Sequence, residues 1–92
     1  MRLPRPAEVA EAAEYVFGES VHHEGSSSRG RVYAAKCAYW QALVAVGYSQ
    51  AEIATMTGAN RKTIINGLAK PVDPDHLAWI VEKARGAASS TI

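Results

Sequence analysis

Residues 47–68, GYSQAEIATMTGANRKTIINGL, decide how this chain folds, because each residue type falls where two short helices joined by a tight turn need it. Ser49 followed three residues later by Glu52 is a capping box, in which hydroxyl and carboxylate each accept a backbone N–H that the first helical turn leaves unpaired. A helix is therefore expected to open at Ser49. Its inward stripe would be Ile53, Ala54 and Met56 or Thr57, with the small Ala54 letting a second helix cross closely. Gly58 stops it, since glycine accepts the left-handed conformation at a helix C-terminus without steric cost. Asn60 is a strong N-cap for a second helix from Arg61. That helix would project Arg61, Lys62 and Asn66 outward from its first two turns and bury Ile64 or Ile65 with Leu68. A helix-turn-helix with cations and an amide at the start of its second helix suits base edges in the DNA major groove.

Charge supports the same reading once the chain is divided. The net charge of +1 hides a sum of −3 over residues 1–28, +5 over residues 29–70 and −1 over residues 71–92. Glu52 is the only acid in the middle segment, against Arg29, Arg31, Lys36, Arg61, Lys62 and Lys70. The cations thus coincide with the motif, the electrostatic footprint of a phosphate-facing surface.

The motif resembles the helix-turn-helix superfamily of prokaryotic regulators, where a Gln-x-x-Ile-Ala segment, a turn glycine and an Arg-x-Thr-Ile segment recur at this spacing. Here those residues are Gln50, Ile53, Ala54, Gly58, Arg61, Thr63 and Ile64. With Ser28-Arg29-Gly30-Arg31 and a helix through Lys36 and Leu43 included, the chain is also similar to the C-terminal DNA-binding domain of the bacterial replication initiator DnaA. The Trp repressor belongs to the same wider group. That resemblance implies a minor-groove contact from Arg29 or Arg31, a helix-turn-helix in the major groove, and Thr63 on the recognition helix. Arg61 and Lys62 stand where the initiator has an Asp-His pair, so its binding box is not carried over. No nucleotide-binding loop accompanies the motif, which argues against initiation as an ATPase. Phage and phage-derived transcription activators, including regulators of gene transfer agents, borrow similar domains. The two resemblances differ in register. The generic regulator buries Ile64 and places Gly67 where an apolar residue is usual, whereas the initiator-like register buries Ile65 with Leu68. Burial of Ile65 and Leu68 is the expectation.

The remaining sequence reads as further helices. Val9, Ala12, Ala13, Val16 and Phe17 recur at helical spacing after Pro6, with glutamates between them. Residues 18–31 are expected to be a polar loop, in which Ser26-Ser27-Ser28 either lets Arg29 and Arg31 reach a groove or is a plain connector. Within it, the adjacent His22 and His23 cannot readily converge on one ion with Glu24, so no metal site is expected. From Val32 to Val46, Tyr33, Cys37, Trp40, Leu43 and Val44 follow helical spacing and read as core. Tyr39 and Trp40 as stacking platforms for single-stranded bases would need several aromatics along a basic groove, so an aromatic core is expected. Asp73 and Pro74 start a last helix with Leu77, Ile80, Val81 and Ala84 on one face and Gly86 as its end. Trp79 falls off that stripe, as a partner contact or as the edge of the core.

The expected fold is a single all-α domain over residues 1–92, a small bundle of about five helices, with the helix-turn-helix at 49–69 and the C-terminal helix at 74–86. A lone Cys37 forms no internal disulfide and fits a reducing compartment. No run approaches the ~20 apolar residues of a membrane span, and the N-terminus lacks the apolar region of a secretory signal, so a cytoplasmic, nucleoid-associated protein with no membrane partner is expected. The expected function is sequence-specific binding of double-stranded DNA in transcription regulation. Asn60, Arg61, Lys62, Thr63, Asn66 and Lys70 would contact DNA from the motif, Arg29 and Arg31 from the loop. A homodimer or a second regulatory protein would complete tight binding. Two alternatives stand beside it: a packaging adaptor resembling phage small terminase subunits, and a protein-interaction module on the same scaffold. No enzymatic triad, carboxylate pair or phosphate loop is recognisable, so neither catalysis nor a cofactor is expected.

Overall fold

The computed structural model describes residues 3–18 and 30–90. These form five helices and, among the described residues, no strand: α1 Pro6–Phe17, α2 Gly30–Val46, α3 Gln50–Thr57, α4 Arg61–Leu68 and α5 Pro74–Ser90. None is long and apolar enough to cross a membrane. Arg29, the His22-His23-Glu24 stretch and the serines beside them lie outside the described residues, as does the side chain of Arg31.

Local chemistry sets most of the helix starts. Pro6 occupies the first turn of α1, where a missing N–H costs nothing, and the Arg5 N–H donates to Glu8 Oε1 at 2.8 Å. At α5 the Asp73 carboxylate accepts the Asp75 N–H at 2.8 Å.

α2 is the spine. It packs against each of the other four helices, while α1 pairs with α5 and α3 pairs with α4. Leu43, Ile53, Ile64, Ile80 and Val9 contribute fully buried side chains from all five helices. Alanines at 12, 13, 35, 38, 42 and 84 fill the seams between α1, α2 and α5, and their single methyl groups let these backbones approach. Tyr39 and Trp40 are both buried, as an aromatic core requires. Burial raises the Tyr39 phenol above its ordinary pKa and does the same to the Cys37 thiol, a small core hydrophobe. The Tyr48 hydroxyl donates to the Pro4 carbonyl at 2.7 Å, tying the N-terminal arm to the corner between α2 and α3.

Four details differ from the sequence reading. α5 does not stop at Gly86 but continues to Ser90, because Ala88 is buried one turn further on and its packing outweighs the helix penalty of a single glycine. Val44 is exposed, and Val46 takes the core position at the end of α2. The third is the start of α2, which opens at Gly30, two residues before Val32, so that Arg31 lies on the helix and not on the loop. On α3, where either Met56 or Thr57 could face inward, Thr57 does so, its hydroxyl satisfied by the Ile53 carbonyl at 2.7 Å. The fourth, in α4, changes the register of the motif.

Candidate nucleic-acid interface

α3 opens as expected. Ser49 Oγ accepts the Glu52 N–H at 3.1 Å while the Ser49 N–H donates to Glu52 Oε1 at 2.9 Å. These bonds, the backbone one foremost, hold the Glu52 carboxyl below its ordinary pKa. The helix ends at Gly58, which has φ 72° and donates its N–H to the Ala54 carbonyl at 3.0 Å. Ala59 packs against the core and receives support from Thr57, whose Oγ1 accepts the Ala59 N–H at 3.3 Å. Asn60 then caps α4, its Oδ1 accepting the Lys62 N–H at 2.8 Å. That carbonyl oxygen is engaged in holding the helix start, so Asn60 faces the candidate interface as a cap.

In α4 the sequence expectation is overturned. Ile64 is fully buried and Ile65 is 45% exposed, so Ile65 does not join Leu68 in the core. The cause lies on α2. A Cβ on Gly67 would fall 2.4 Å from Trp40 Cε3 and 2.6 Å from Cζ3, which means the indole occupies the volume that an apolar side chain would fill. The expected vacancy at Gly67 is therefore no vacancy. Trp40 fills the gap from across the interface, Ile64 and the half-buried Leu68 flank it, and the generic regulator register is the one adopted. The initiator-like assignment, which required Ile65 in the core, falls with its register.

This register fixes what α4 shows to solvent. Arg61, Lys62, Thr63, Ile65 and Asn66 are exposed, and so is Lys70 just past the helix end. At about 100° per residue, Lys62, Ile65 and Asn66 lie on the side opposite Ile64 and Gly67, with Arg61 beside Ile65 and Thr63 beside Asn66. The fold thus brings Asn60, Arg61, Lys62, Thr63 and Asn66 onto one helix and its N-cap, with Lys70 two residues past its end.

One positioning residue escaped the sequence reading. α4 ends without a left-handed cap: Ala69 is right-handed, and the Gly67 and Lys70 carbonyls are instead bonded by Gln41 Nε2 of α2 at 3.3 and 2.7 Å. Gln41 locks the C-terminal end of α4 to the spine as Trp40 locks its face. The only local signal would have been the absence of a glycine just beyond α4, which leaves its last carbonyls in need of a partner. Gln41→Leu is expected to cost about 1 kcal/mol, a typical net hydrogen-bond contribution. Chemical denaturation checks the cost, and hydrogen exchange should show its largest loss of protection at the end of α4.

Trp79 stands elsewhere. It is 38% exposed on α5, stacks on Tyr15 of α1 with ring centroids 5.3 Å apart and planes at 17°, and carries Lys83 Nζ 5.8 Å from its ring centroid. Its stack belongs to the α1–α5 pair, and both rings are exposed to solvent.

Comparison with known families gives one finding. The family described as "putative ATPase subunit of terminase (gpP-like)" matches residues 31–66, from the start of α2 through Asn66 of α4. The similarity covers the spine helix and the helix-turn-helix and stops before α5. No curated protein and no solved structure matches the chain.

Proposed function

We propose that this chain is a double-stranded-DNA-binding module of a phage-type DNA-packaging apparatus, which holds duplex DNA through α4 of its helix-turn-helix. The observation that carries the reading is a coincidence of position. The terminase-like similarity spans the segment that presents Arg61, Lys62 and Asn66 on one exposed helix. In this role Arg61 and Lys62 neutralise phosphates or pair with guanine, Asn66 suits adenine, and Thr63 and Lys70 hold the backbone on either side. ATP hydrolysis is not assigned to these residues, because the sequence has no Gly-x4-Gly-Lys-Ser/Thr loop to cradle a triphosphate. Transcription regulation would use the same helix, but the family similarity favours packaging.

Two measurements test the proposal. Fluorescence anisotropy with a labelled random-sequence duplex should show binding, and Arg61→Glu with Lys62→Glu should weaken it by about a hundredfold or more, since two attractive phosphate contacts become repulsive. Trp79→Ala should leave that affinity unchanged. Unaltered binding in the charge-reversed chain would point instead to a protein-docking scaffold. The mass in solution then separates the two DNA roles: a closed ring of several copies fits packaging, whereas a monomer or dimer that enriches one sequence fits a regulator.

A further inference from the structure

Ile65 is an anomaly that the core does not explain. It lies in the middle of α4 with 45% of its surface in solvent, although Ile64 beside it is fully buried. Intrinsic preference does not explain it either. A β-branched side chain is a middling helix former, and α4 already carries Thr63, Ile64, Asn66 and Gly67, all weaker than alanine or leucine. An exposed site in such a helix would be better served by a straight-chain polar residue. Ile65 instead sits next to Asn66, four residues after Arg61 and three after Lys62, and so shares their outward surface. On a helix laid in the major groove, an apolar group among hydrogen-bonding ones meets the one apolar feature that base edges offer there, the C5-methyl of thymine.

We propose that Ile65 is a specificity-determining residue that reads a thymine methyl group beside the bases contacted by Arg61, Lys62 or Asn66. The inference rests on α4 entering the major groove, as the proposed function requires. Arg61 and Lys62 bind almost any duplex through its phosphates, whereas Ile65 has no favourable contact with a phosphate and gains only where a methyl group is present. Its expected effect is therefore on sequence preference and little on overall affinity.

The test compares thymine with deoxyuridine, which differ by that methyl alone. Duplexes enriched by the full chain from a random-sequence pool are resynthesised with each thymine replaced singly by deoxyuridine. At one or two positions the replacement should weaken wild-type binding about fourfold, the value of one buried methyl-sized group. Ile65→Ala should bind the thymine duplex more weakly and be indifferent to deoxyuridine at those same positions. A thermal melt at or above the wild-type midpoint establishes that this exposed substitution leaves the fold intact. The proposal is overturned if every deoxyuridine duplex binds as tightly as its parent, if Ile65→Ala keeps the wild-type sensitivity, or if salt-dependent binding occurs with no sequence enriched. In these three cases DNA binding itself stands. Absence of any duplex binding removes the proposed function as well.

Discussion

Ile64→Ala is expected to lose about 3 kcal/mol of folding stability, within the 2–5 kcal/mol typical of emptying a buried isoleucine site, whereas Ile65→Ala should be neutral or stabilise slightly. The two residues are adjacent and identical, so composition, chain length and the unfolded state are matched. Only burial differs, none of Ile64 being accessible against 45% of Ile65. A loss of that size is a large part of the roughly 5–15 kcal/mol that holds a small domain together. Urea unfolding of both variants checks it. Equal losses, or a larger loss at Ile65, would mean that α4 is rotated by a residue and that the outward face described above is wrong.

The second large effect belongs to Gly67. Helix propensity alone says that Gly67→Ala should stabilise α4 by about 1 kcal/mol. Packing says the opposite, and packing is expected to win. The new methyl would lie 2.4 Å from Trp40 Cε3, and Trp40, only 5% exposed, is a rigid ring with no open space to swing into. A net loss of about 2 kcal/mol is expected, which in a domain of this size lowers the midpoint by roughly 10 °C. Trimming the ring should then rescue the fold: Gly67→Ala combined with Trp40→Leu should be more stable than the sum of the separate losses allows, because the pair is in direct contact. Thermal melts of the two single variants and the double variant measure this coupling, and strict additivity would show that the indole is not what occupies the space.

Gly67 also marks the boundary between what is legible in the sequence and what is not. The Ser49–Glu52 box, the Gly58 stop, the Asn60 cap and the Asp73 start are satisfied within a few residues, so their chemistry is visible in the order of the chain. The inward face of α4 is not of this kind. Choosing between Ile64 and Ile65 depends on whether something fills the space at Gly67, and that something is a tryptophan 27 residues earlier in the chain. Gln41 as the cap of α4 is non-local for the same reason. Gly86 failed as a stop signal because burial of Ala88, a tertiary contact, overrode a local preference. Trp79 was visible as an outlier on its helix, but Tyr15 as its stacking partner was not, because the pair forms only when α1 lies against α5. For the candidate site, residue types and spacing disclosed Arg61, Lys62, Thr63, Asn66 and Lys70 as solvent-facing, and only the packed structure added Ile65 to their surface.

The central claim, that α4 engages the DNA backbone and bases, is tested most directly by the salt dependence of duplex binding. The logarithm of the association constant should fall linearly with the logarithm of salt concentration. If Arg61, Lys62 and Lys70 each neutralise a phosphate, the slope should be about −2.7, and replacing Arg61 and Lys62 by alanine should reduce its magnitude by about 1.8, or 0.9 for each lost contact. A chain whose duplex binding is independent of salt, or whose slope is untouched by those two replacements, would contradict the account.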